Sequence, residues 1–149
     1  MNGFTLHRVL QLAEQRAENL SRAVKQAHGE WLRARGRQVQ LRGLRQTHAA
    51  RLAERLHQGL AASQLLDATR LQQTQDREMR AAQGAIDAAY AEWQARLAVW
   101  MQAEQRVKAL QVLKQRALDR AAIKQKRIDQ RQHDELVELA RFRQESQRR

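Results

Sequence analysis

Five histidines, His7, His28, His48, His57 and His133, are the side chains here best suited to chemistry near neutral pH. They are scattered, with no second histidine at ligand spacing on one face. His133-Asp134-Glu135 is a local polar cluster on a helix, and a solvated face is the expectation for it rather than a metal site. Gly29, Gly36 and Gly43 recur every seven residues, whereas a phosphate loop needs clustered glycines after a strand. There is no cysteine, which removes disulfides and thiolate metal sites. No Ser-His-Asp or Cys-His arrangement can be assembled. The sequence therefore predicts a non-enzymatic protein with no cofactor, no metal and no small-molecule substrate.

The elements that carry these residues read as helices throughout. The chain of 149 residues has no proline, the strongest helix breaker, at about 3 kcal/mol in a helix interior. Gln, Arg, Ala, Leu and Glu dominate, and these lose little rotamer freedom in a helix. Aromatics are only 4% and mean hydropathy is −0.80, so a narrow seam between helices is available but a broad core is not. Leu6, Leu10, Ala13, Ala17, Leu20, Val24, Ala27, Trp31, Ala34, Gln38 and Leu41 alternate in steps of four and three, the heptad signature of a coiled coil. Leu44, His48, Leu52 and Leu56 are read as its continuation. Around Gly59 the pattern lapses; Gly59 can end a helix in the left-handed conformation, and Ser63 can cap the next. The stepping resumes with Ile86, Tyr90, Trp93, Leu97, Trp100, Glu104 and Val107, then slips and weakens through Ala117, Ala121 and Ile128.

The fold predicted is all-α: a long two-helix antiparallel coiled-coil hairpin forming one domain over residues 1–149. Helix 1 covers about 4–57, the turn about 58–63 and helix 2 about 64–145. A turn near residue 61 sets Trp31 opposite Tyr90 and Trp93, and the tryptophans are read as seam packing rather than base-stacking platforms. Helix 2 outlasts helix 1, leaving roughly the last 30 residues as a C-terminal overhang, a length that follows from helical rise. The alternative is one continuous helix in a parallel dimer. No apolar run long enough to span a membrane exists, and the N-terminus lacks the pattern of a secretory signal.

The net charge of +12 is unevenly spread. Residues 1–60 carry +7, residues 61–103 carry −1 and residues 104–149 carry +6. Such a balance suits an acidic partner. Arg33, Arg35, Arg37, Arg42, Arg45, Arg51 and Arg55 lie beside the acidic residues Asp67, Asp76, Glu78 and Asp87 of the second helix. The block Arg116, Arg120, Lys124, Lys126, Arg127 and Arg131 has fewer neighbours and is the better candidate for an acidic surface.

The opening Phe4-Thr5-Leu6-His7-Arg8-Val9-Leu10-Gln11-Leu12-Ala13-Glu14 resembles the start of the flagellar export protein family FliJ. Trp93 through Trp100, then Glu104-Gln105-Arg106-Val107-Lys108-Ala109-Leu110, is similar to that family's second helix, and Asp134-Glu135-Leu136 to its C-terminal element. The stalk proteins of injectisome type III secretion are the neighbouring group. The resemblance implies a hairpin similar to the central stalk of rotary ATPases, working in flagellum biogenesis and so in motility and chemotaxis. It implies that the terminal end enters the pore of a hexameric export ATPase and promotes its activity. It further implies contact with the cytoplasmic domain of the export gate and with export chaperones. By position the gate patch falls on Leu41, Leu44, His48 and Leu71; Leu41 keeps the family's residue type, and the other three depart from its aromatics. Gln75, Glu78 and Ala82 also depart. The protein would sit in the cytoplasm, peripheral at the inner membrane and touching lipid only indirectly. The rival readings are a basic coiled coil that binds nucleic acid, which gives no reason for the charge to avoid residues 61–103, and a structural spacer.

Overall fold

A computed structural model describes residues 3–149 and contains two α-helices, α1 (Gly3–Gln58) and α2 (Ala62–Gln147). They pack against each other as an all-α helical hairpin, and no strand occurs among the described residues. The turn follows from one residue. Gly59 has φ +94°, and its N–H donates to the carbonyl of Leu56 at 3.4 Å. A side chain there would clash with the following carbonyl. Arg55 and His57 in the last turn of α1 oppose the negative end of its dipole.

Helix α2 begins at Ala62, two residues before the expected start, so Ser63 lies inside the helix rather than capping it. The cap is instead Gln64, whose Oε1 accepts the N–H of Ala61 at 3.2 Å. This is the reach-back half of a capping box, and a glutamine at the third helical position suffices for it.

The chain divides into two units, Arg16–Ala103 and residues 1–15 with Glu104–Arg149. In the first, Ala17, Ala27 and Ala82 are buried, and Leu20, Val24, Trp31, Ala34, Gln38 and Leu41 are half-buried. Ile86, Ala89, Trp93, Leu97 and Trp100 line α2 to the same depth. Tyr90, read as a seam residue, is 47% exposed, and Ala89 takes the seam position beside it. The α1 register from Gln38 continues through Leu41, Arg45, His48 and Leu52. Leu44 and Leu56 therefore fall outside it and stand exposed. Following the leucines rather than the step of four misplaced the seam there.

In the second unit the buried side chains are Leu6 and Leu10 on α1 and Val107 on α2. Every residue from 115 to 149 is exposed, Ala117, Ala121 and Ile128 among them, yet the helix runs on to Gln147.

Gly36 and Gly43 are helical, and a methyl group at either would meet nothing within 4 Å. Gly36→Ala and Gly43→Ala should each stabilise the hairpin by about 0.5–1 kcal/mol in a denaturant melt. Gly59→Ala should destabilise it by about 1 kcal/mol, because its positive φ is kept by the turn.

Candidate functional site

Three regions carry the residues singled out in the sequence. The first is an aromatic cluster in the hairpin unit. Trp31 stacks on Trp93 with centroids 5.1 Å apart and lies 6.0 Å from Tyr90, which meets Trp93 edge-on at 5.9 Å. His28 joins it, 4.6 Å from Trp93 and 5.7 Å from Trp31, and the Arg35 guanidinium covers Trp31 at 4.8 Å. His28 and Arg35 were not expected in this cluster. Their signal was spacing: both lie within one turn of Trp31 on its own helix. The cluster fixes the register of the two helices, because ring–ring geometry tolerates little sliding.

The second region lies between that cluster and the turn, where the seam becomes polar. Gln38 Nε2 donates to Gln83 Oε1 at 2.7 Å, and Arg45 Nη2 meets Asp76 Oδ1 at 2.7 Å. Gln75 is buried and its amide donates to Nδ1 of His48. Of the four gate-patch positions, His48 and Leu71 line one small cavity with Arg45, Leu52 and Gln75. Leu41 is half-buried in the seam, and Leu44 and Leu71 are exposed. His48 is thus committed to a cross-helix bond, while Leu44 and Leu71 remain open to a partner.

The third region is the basic part of α2. Arg116, Arg120, Lys124, Arg127 and Arg131 follow one another in steps of four, four, three and four, which places them along one stripe of the helix. Lys126, grouped with them in the sequence, points about a third of a turn away. All six are exposed, and none takes part in an ion pair among the described residues. The nearest acids along the helix bond elsewhere: Asp119 accepts Gln115 at 3.0 Å, and Asp129 accepts Gln125 at 2.9 Å. The stripe is therefore a solvated row of like charge, whose field reaches about 8–10 Å into physiological salt.

No three His, Cys, Asp or Glu side chains converge among the described residues. Nor is any helix among them long and apolar enough to cross a membrane.

The model of the family described as Flagellar FliJ protein matches residues 1–146, nearly the whole chain. The chain belongs to the FliJ family. It is thus a flagellar export-associated protein, and the flagellar reading takes precedence over the injectisome one. Comparison with curated proteins and with solved structures gave no match.

The Arg45–Asp76 pair is half solvated on both sides, with side-chain exposures of 48% and 46%. Its coupling in a double-mutant cycle should be below about 1 kcal/mol. Trp93→Ala should cost about 3 kcal/mol, because it removes the ring on which Trp31 and His28 both pack.

Proposed function

We propose that this FliJ family member is a non-enzymatic stalk of the flagellar type III export apparatus. Its basic C-terminal segment binds the pore of the hexameric export ATPase and promotes the activity of that enzyme. The observation that carries this reading is the row Arg116, Arg120, Lys124, Arg127 and Arg131, exposed and without an ion-pair partner among the described residues. A cationic stripe on a helix that nothing else covers suits an acidic channel. Long-range attraction would speed its insertion and weaken as salt is raised.

The hairpin unit supplies the proposed second contact. Leu41, Leu44, His48 and Leu71 are the positions through which it would reach the cytoplasmic domain of the export gate, with exposed Leu44 and Leu71 as the contacting pair. Export chaperones would be handled by the same adaptor. The site of action is the cytoplasmic face of the inner membrane, with the protein held there by its partners.

The test is steady-state turnover of the cognate export ATPase with and without the protein, at low and at moderate salt. Stimulation at near-stoichiometric amounts, falling as salt rises, is expected. Reversing Arg120, Lys124 and Arg127 to Glu should weaken ATPase binding at least about a hundredfold, equivalent to roughly 3 kcal/mol. The circular-dichroism spectrum should stay unchanged, because these residues are exposed on a helix and take part in no ion pair among the described residues. Unaltered binding by the triple variant would exclude the electrostatic mechanism.

A further inference from the structure

The overhang of α2 carries a second pattern that binding to an acidic channel does not use. From residue 118 to residue 142 a register in alternating steps of three and four continues along one face, with Leu118, Ala121, Ile128, Leu139 and Phe142 as its apolar members. The large ones are open to solvent: Leu118 by 55%, Ile128 by 37%, Leu139 by 58% and Phe142 by 68%. Beside this face, at intervals of seven, stand Lys124, Arg131, Glu138 and Glu145. The row is basic in its first half and acidic in its second, and none of the four has an ion-pair partner among the described residues.

A row of that kind is complementary to itself when reversed. We infer that residues 122–145 pair with the same segment of a second copy as an antiparallel coiled coil. Flanking positions of one kind face each other across such a pair, and they fix partner and orientation. In the register that superposes the two halves of the row, Arg131 meets Glu138 of the second copy, and Lys124 meets its Glu145. Twofold symmetry makes each contact twice. The same register sets Ile128 against Leu139 and Gln125 against Phe142. It also places Gln132 against Glu135, so that the glutamine amide can donate to the carboxylate. A parallel pair would instead press Glu135 against Glu135, two like charges in the seam. A parallel pair would also bring both N-terminal ends of α1 to the same end of the pairing. The polar seam layers make the association reversible and dependent on salt.

The experiment is sedimentation equilibrium of the full chain from ~1 to ~100 µM at low salt, with no ATPase present, so its result is independent of the export reading. The expected result is a rise from monomer to dimer mass across that range. Lys124→Glu with Arg131→Glu makes the row wholly acidic, and Glu138→Lys with Glu145→Lys makes it wholly basic. Each double variant alone should dimerise at least about tenfold more weakly, and an equimolar mixture of the two should recover a heterodimer. Since the chain has no cysteine, Leu118→Cys reports orientation directly. Oxidation should not link two copies through residue 118, which antiparallel pairing sets far apart. A chain that stays monomeric at every concentration, double variants that dimerise like the parent, a mixture that does not associate, or a ready disulfide at residue 118 would each overturn the proposal.

Discussion

Two helices can shelter from water only the stripe along which they touch, and every other feature of this protein follows from how that stripe is filled. Among the described residues the buried hydrophobic side chains are three leucine or valine and three alanine, and no large side chain is fully enclosed. Alanine in the seam lets the helix backbones approach closely but contributes little apolar area. Isolated helices are marginal in water even with good propensity, so the pairing must come from continuity of the stripe rather than depth at any point. Continuity in turn requires an unbroken helix, and the absence of proline over 149 residues is what permits it.

The stripe is not uniform within the hairpin unit. Its aromatic stretch, centred on Trp31 and Trp93, is followed towards the turn by Gln38–Gln83, Arg45–Asp76 and His48–Gln75. Hydrogen bonds exchanged with water contribute about 1 kcal/mol each, and a half-exposed ion pair less. The turn-proximal segment therefore opens at lower free energy than the aromatic one. What the polar layers supply is register. The penalty falls on Gln75, which is buried: a slipped pairing that left its amide without His48 would be disfavoured more strongly than the native pairing is favoured.

This division explains which parts of the structure were legible in the sequence. All eleven heptad positions from Leu6 to Leu41 are buried or half-buried, because apolar residues fill every one of them but Gln38. The match of Trp31 to Tyr90 and Trp93 followed from a turn placed near residue 61, where Gly59 and the lapse of the heptad pattern coincide. The reading failed where apolar identity and helical phase disagreed. Leu44 drew the seam away from Arg45, and Tyr90 drew it away from Ala89. At both places a polar or small residue holds the inner position and a larger apolar one lies at the flank. Composition cannot reveal that choice, because it is made by the register that the aromatic cluster imposes from a distance. The site residues are less legible still. The sequence grouped Lys126 with the basic block by proximity, and only the helical repeat separates it from the stripe of Arg116, Arg120, Lys124, Arg127 and Arg131.

Beyond Lys114 the same stripe continues on a helix with nothing to cover it, and the consequences differ from those of ordinary exposed surface. A solvent-facing helix gains from mixed charges around its circumference, whereas this one keeps a heptad face and sorts its charges beside it. Such a face has two ways to lower its free energy. It can enter an acidic environment that answers the basic row, or it can meet a reversed copy that answers both the basic and the acidic halves while covering Ile128 and Leu139. Both would draw on Lys124 and Arg131, so the two proposed states would exclude each other at those residues. An equilibrium between them would leave the chain paired when export sites are scarce and release it as they become available, by mass action alone.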